Sequence, residues 1–160
     1  MPEATPTERL LAASESGDRP GVERALRAGG EIEGRDPFSR TPLVLAAGRG
    51  HAPVVQLLLA AGAEVGARML GNSTPLHYAC REGREQVVRM LLDAGAQVDA
   101  RDDQELTPLH WACDWGRESV VTLLLERGAD PAAVDKRGRS VMDHTRHASV
   151  RDAVADALAT

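Results

Sequence analysis

Two pairs of histidine and cysteine residues have types and spacing that could bind a metal ion. His77 and Cys80 are three positions apart, and His110 and Cys113 repeat that spacing 33 residues later. Imidazole nitrogens and thiolates are ligands that structural zinc prefers, and residues three apart share one face of a helix. The two pairs therefore offer four ligands of the right chemistry.

The 33-residue separation argues against a metal site. If the two pairs occupy equivalent positions on neighbouring helices, those helices lie about 8–10 Å apart. Four ligands at that spacing cannot all reach one zinc ion at about 2.0–2.3 Å. The same spacing disfavours a disulfide between Cys80 and Cys113, which needs Cα atoms within about 7 Å. We predict no metal or cofactor, a structural role for His77 and His110, and two small buried thiols in the place of Ala47.

A second group with possible chemistry is Ser140, Asp143 and His144, the residue types of a hydrolase triad. Neighbours three and four apart on one helix cannot relay a proton to a substrate, and no glycine turn nearby offers an oxyanion hole. The sequence therefore predicts that the chain is not an enzyme.

The basic run at residues 136–139 (Lys-Arg-Gly-Arg) has two interpretations, a solvated surface or a contact for an acidic partner segment. The run is short and carries no interleaved aromatic residues, which disfavours nucleic acid. The net charge of −5 argues against non-specific binding to nucleic acid or membranes. No apolar run approaches the roughly 20 residues of a spanning helix. We expect a cytoplasmic protein.

All these residues lie in a chain that repeats itself. Thr41-Pro42-Leu43 recurs at residues 74–76 and 107–109, in two steps of 33 residues, and a degraded copy occurs at 140–142. Valines share the same period at positions 22, 55, 88, 121 and 154, as do two sets of glycines. A fixed period between about 20 and 50 residues is typical of stacked solenoid proteins. The pattern predicts five units without an internal insertion.

Each unit is expected to contain two short helices. The hydroxyl of Thr41 can cap a helix N-terminus, and Pro42 suits the first helical position. A glycine such as Gly50 ends this helix, and a second helix with a continuous apolar face follows it. Gly62 then provides a left-handed cap.

The outer units differ from the inner ones in a way that suggests caps. One position in the repeat is apolar in the three inner units and charged in the first and last; its residues are Arg24, Leu57, Met90, Leu123 and Asp156. Terminal units have no outer neighbour and need a polar outer face. We therefore expect a complete, capped solenoid.

The motif resembles the ankyrin repeat. The resemblance rests on Thr-Pro-Leu-His-Tyr-Ala at 74–79 and Thr-Pro-Leu-His-Trp-Ala at 107–112, with the Gly-Ala pairs at 95–96 and 128–129. The unit beginning at Asp36 departs from it at Val44, where the family has His. The resemblance implies an all-α solenoid of antiparallel helix pairs with projecting fingers, in one domain at residues 5–160. Its units would span 5–35, 36–68, 69–101, 102–134 and 135–160, and residues 1–4 would be disordered.

Ankyrin repeats mostly bind other proteins through a groove lined by the fingers and first helices, so the resemblance implies a binding module. Trp115 shares its phase with the polar Arg49 and Glu82, which makes it a candidate anchor. Tyr78 and Trp111 share theirs with Leu45 and are expected to be partly buried. The apolar finger residues Phe38, Leu70 and Leu106, together with Met69, predict an exposed patch, with Asp103 in the polar rim. The predicted protein-binding residues are Phe38, Arg40, Arg49, Leu70, Arg81, Glu82, Gln104, Leu106, Trp111, Asp114 and Trp115.

The sequence thus predicts a monomeric, non-catalytic protein-interaction module that acts as an adaptor, inhibitor or regulatory partner. One alternative is a self-associating scaffold. A weaker alternative is a metal-binding protein or enzyme that uses His77, Cys80, His110 and Cys113.

Overall fold

The computed structural model describes residues 3–160, and within that range it is built from pairs of short helices in series. Residues 1 and 2, which belong to the segment predicted to be disordered, lie outside the described residues. The helices are α1 (Pro6–Ser16), α2 (Arg19–Arg27), α3 (Pro42–Arg49), α4 (Ala52–Ala60), α5 (Pro75–Arg81), α6 (Glu85–Asp93), α7 (Pro108–Asp114), α8 (Glu118–Glu126) and α9 (Ala148–Leu158). Short 3-10 turns occupy Leu70–Asn72 and Val141–His144.

The helices begin where the repeat predicts them. The first helices α3, α5 and α7 start at Pro42, Pro75 and Pro108, 33 residues apart. The hydroxyl of Thr41 accepts a hydrogen bond from the Val44 amide at 3.4 Å, as an N-cap should. The all-α solenoid predicted from the sequence is confirmed.

Neighbouring units pack helix against helix. The first helices α1, α3, α5 and α7 contact one another in series, as do the second helices α2, α4, α6 and α8, and α9 covers α8. One continuous aliphatic core runs through the stack, with leucines 10, 43, 58, 76, 91, 109 and 124 fully buried. Each unit therefore covers apolar surface of the next, as solenoid stability requires.

The fingers, defined here as residues 36–40, 69–73, 102–106 and 135–139, are joined by a ladder of arginines. Nη1 of Arg35 donates to the carbonyl of Arg68 at 2.6 Å, and Nη1 of Arg68 donates to the carbonyl of Arg101 at 2.9 Å. Arg101 continues the series to the carbonyl of Val134 at 2.9 Å. Each arginine fixes the next finger relative to its own unit.

No helix within residues 3–160 has the length and apolar character needed to cross a bilayer.

Candidate functional site

Three large apolar side chains are exposed on the face formed by the fingers and the first helices. Phe38 is 62% exposed, Leu70 is 75% exposed, and Trp115, directly after α7, is 55% exposed. All three are among the predicted binding residues. Exposed aromatic and aliphatic groups of this size lose water contact when a partner covers them, so they are suited to anchor one.

Arg81, at the end of α5, connects this face. Its guanidinium carbon lies 4.5 Å from the ring centre of Tyr78 and 5.8 Å from those of Trp111 and Trp115. These distances fit cation–π contacts. Nε of Arg81 also donates to Oε1 of Glu82 at 2.8 Å. Tyr78, Trp111, Trp115 and Glu82 therefore form one cluster around the guanidinium of Arg81.

Trp111 is half-buried, as its phase predicted, and is held on several sides. Its indole N–H donates to Oδ2 of Asp102 at 3.0 Å. Its ring lies tilted against Tyr78, with ring centres 5.6 Å apart, and meets the edge of His77 at 5.3 Å. A tryptophan fixed in this way supplies a rigid part of the surface.

Two neighbouring hollows lie in the amino-terminal half of the face, and most of the predicted binding residues in that half line one or both of them. The finger hollow, about 290 Å³, is lined by Phe38, Arg40, Met69, Leu70, Tyr78 and Arg81. The helix hollow, about 180 Å³, lies beside it and is lined in part by Arg40, Arg49, Arg81 and Glu82. Gln104, Leu106 and Asp114 lie in neither of these hollows; Gln104 and Asp114 are exposed nearer the carboxyl end of the stack.

The expected apolar finger patch needs a correction. Met69 is only 6% exposed, and Leu106 is half-buried. Met69 shares its phase with Asp102 and Asp135, which are also buried, so this finger position points inward in each of these units. The exposed patch in the fingers is therefore restricted to Phe38 and Leu70.

The ring nitrogens of His77 are used to join two units. Nδ1 accepts from the amide of Thr74 at 3.2 Å and lies 2.9 Å from its hydroxyl oxygen, while Nε2 lies 3.0 Å from the carbonyl oxygen of Leu106 in the next finger. These contacts fit a neutral ring that carries its proton on Nε2. Burial lowers the pKa of His77 to about 4. This histidine ties its own helix to the following unit.

His110 repeats only half of that arrangement. Its Nδ1 accepts from the amide of Thr107 at 3.1 Å, but its buried Nε2 has no hydrogen-bond partner among residues 3–160. The ring of His144 stands edge-on to it at 5.1 Å. Burial, followed by the nearby His144, lowers the pKa of His110 to about 4. Among the described residues, the His110 ring therefore lacks a hydrogen bond equivalent to the one that His77 makes with Leu106.

The cysteines are small core residues. Cys80 and Cys113 are fully buried and unbonded to each other. Burial raises the pKa of both thiols, that of Cys113 to about 12, so both remain protonated at neutral pH. Within residues 3–160, no three His, Cys, Asp or Glu side chains are arranged to hold a metal ion.

The Ser140, Asp143 and His144 group repeats structural contacts of the preceding unit. The Ser140 hydroxyl donates to Oδ2 of Asp143 at 2.7 Å, which closes the first turn of the 3-10 segment. Nε2 of His144 lies 3.0 Å from Oδ2 of Asp135, the equivalent of the Trp111–Asp102 bond one unit earlier. Each side chain therefore has a partner other than the one a triad would require.

Sequence reasoning missed three members of the site. Glu15 pairs with Nη2 of Arg49 at 2.8 Å, and both Glu15 and Arg84 line the helix hollow. The sequence predicts only a packing role for Tyr78, yet its ring lies 4.5 Å from the guanidinium carbon of Arg81. Glu15 shares its position in the repeat with Gly48, one unit later, and Arg81, two units later, which was the available signal for its place on this face.

Comparison with known proteins agrees with this architecture. A family model described as ankyrin repeats (3 copies) matches residues 10–102 and 72–135, which together cover most of the chain. No curated protein gives a significant match. The repeat motif, the helix pairs and the family match lead to one conclusion: the chain belongs to the ankyrin repeat family.

Proposed function

We propose that the chain is a non-catalytic protein-interaction module, an adaptor, inhibitor or regulatory partner, that binds a protein through its fingers and first helices. Ankyrin repeats are generally protein-binding modules. The observation that carries the proposal here is the exposure of Phe38, Leu70 and Trp115 on one face around the Arg81 cluster. We further propose a cytoplasmic, monomeric protein with one domain at residues 5–160, divided as the repeat indicates.

A binding role is favoured over catalysis by the state of the titratable groups. The buried rings of His77 and His110 contact backbone and hydroxyl groups, and burial raises the pKa of both thiols. An active site would instead need several such groups to converge on an open pocket. The exposed face offers aromatic, aliphatic and arginine side chains, which are the types that dominate interface energetics.

Trp115→Ala is expected to weaken binding of the native partner by at least about 2 kcal/mol, roughly 30-fold in Kd. The reason is that the exposed indole would be buried against the partner, while its removal leaves the core intact. Affinity capture from lysate of the native host, with wild type and variant compared, identifies the partner. Calorimetry with the purified partner then gives the two dissociation constants.

Leu158→Ala is the matched control, because Leu158 is 49% exposed on α9, outside the proposed face. Its dissociation constant should equal that of wild type. Equal affinities for wild type and Trp115→Ala would remove Trp115 from the interface. Loss of partner binding in Leu158→Ala and not in Trp115→Ala would place the binding surface at the carboxyl end of the stack.

A further inference from the structure

The two hollows on the candidate face are rich in arginine, on a chain that is acidic as a whole. The helix hollow is lined by Arg40, Arg49, Arg81 and Arg84 together with Glu15 and Glu82. With Asp36, which pairs with Arg40, these charges sum to +1. The finger hollow beside it is lined by Arg40 and Arg81, whose carboxylate partners Asp36 and Glu82 lie outside that lining. The whole chain carries a net charge of −5. The face therefore carries a small excess of positive charge, in contrast to the molecule as a whole.

Arg40 and Arg81, which line both hollows, are held in place but not saturated. Nε of Arg40 donates to Oδ2 of Asp36 at 2.7 Å, and Nε of Arg81 donates to Oε1 of Glu82 at 2.8 Å. A guanidinium has five N–H donors, and one carboxylate can take at most two of them. No further residue within 3–160 accepts a hydrogen bond from either guanidinium. Each arginine keeps donors available for another acceptor.

Aromatic rings fix the orientation of both guanidiniums. The guanidinium carbon of Arg40 lies 5.2 Å from the ring centre of Phe38, and that of Arg81 lies 4.5 Å from the ring centre of Tyr78. A ring at this distance leaves the edge of a guanidinium free, and the edge is the part that binds a carboxylate. The positioning is present before any partner binds, which reduces the entropy lost on binding.

The finger hollow also has an apolar margin. Phe38 and Leu70 line it and are both largely exposed. An anionic group alone, such as free phosphate, would leave these side chains in water. A peptide that carries a carboxylate beside an apolar side chain would satisfy the arginines and cover Phe38 and Leu70 at once.

Resting on the proposed function, we propose that the partner inserts an acidic segment in which an Asp or Glu carboxylate binds between Arg40 and Arg81. An adjacent aliphatic or aromatic residue of that segment packs on Phe38 and Leu70. A basic segment fits less well, because Arg81 already lies within cation–π distance of Tyr78 and the two tryptophans and would repel a second cation there.

Phage-displayed random peptides, selected on the full chain, test this inference without knowledge of the native partner. The selected peptides are expected to share an acidic residue next to an apolar one. A synthetic copy of the best peptide, with the acidic residue replaced by its neutral amide, should bind about tenfold more weakly. Arg40→Gln or Arg81→Gln in the chain should cause a similar loss for the acidic peptide and little loss for the amide peptide.

Arg27→Gln is the matched control, since it removes one positive charge from a largely exposed side chain on α2. It should leave peptide affinity within about twofold of wild type. A neutral or basic consensus, no selected peptide at all, or equal binding by wild type and Arg81→Gln would each overturn the inference. The proposed function would survive those outcomes if capture of the native partner still depended on Trp115, so the two failures are distinguishable.

Discussion

Leu123→Asp is expected to lower the free energy of unfolding by about 4 kcal/mol or more, because it places an unpaired carboxylate between two units. Leu123 is 2% exposed on α8, within the common core. The equivalent positions in the first and last units are Arg24 and Asp156, and both are exposed. A charged side chain at this position is exposed in the first and last units, but in the unit that contains Leu123 it would be buried.

Urea unfolding monitored by circular dichroism measures the effect. Thr122→Asp introduces the same charge one residue earlier at an exposed position, and should cost less than about 1 kcal/mol, mainly through repulsion by Glu118 and Glu126. If the two variants had the same free energy of unfolding, position 123 would not be buried, which would mean that α9 does not cover α8. An unfolded Leu123→Asp beside a folded Thr122→Asp agrees with the expected loss.

Acid is expected to destabilise the fold well above the pH at which carboxylates titrate. Burial lowers the pKa of His77 from 6.5 to about 4 in the folded chain, and that of His110 likewise. Between these values the unfolded chain binds a proton that the folded chain does not. Stability is therefore complete above pH 6.5 and falls as the pH drops towards 4, by about 1.4 kcal/mol per pH unit for each such histidine. His77 alone accounts for a loss of about 3 kcal/mol across this range.

Urea unfolding at several pH values between 7 and 4 tests the expectation. His77→Gln keeps an N–H donor near the Leu106 carbonyl but cannot titrate, so its stability should fall less steeply over this range than that of wild type. His110→Gln should flatten the remaining slope. A wild-type stability that stayed constant from pH 7 to pH 5 would contradict the buried, neutral state of both rings.

The repeat register determined much of what could be predicted. It located the starts of α3, α5 and α7, because a Thr–Pro pair defines a helix N-terminus locally. It also predicted the burial of Cys80 and Cys113, since equivalent positions in a stack share one environment. These features depend on backbone register, which the sequence displays directly.

Features that depend on the particular path of a side chain were not predictable. Arginine has several rotatable bonds, so the sequence did not reveal that Arg81 would stack on Tyr78 or that Arg49 would reach Glu15. The hydrophobicity of Met69 alone predicts exposure in a binding patch, whereas its position in the repeat, shared with the buried Asp102 and Asp135, indicates burial. The unpaired Nε2 of His110 depends on the geometry of the last unit, whose first helix is reduced to a 3-10 turn.

Hydroxyl-radical footprinting of the chain, free and bound to its captured partner, tests the central claim most directly. The exposed side chains Phe38, Leu70 and Trp115 are expected to lose most of their reactivity in the complex, while Leu158 keeps its own. These four residues are reactive internal reporters within one molecule, so no variant is needed. Protection of Leu158 with unchanged reactivity at Phe38, Leu70 and Trp115 would show that the partner binds elsewhere and would contradict the account.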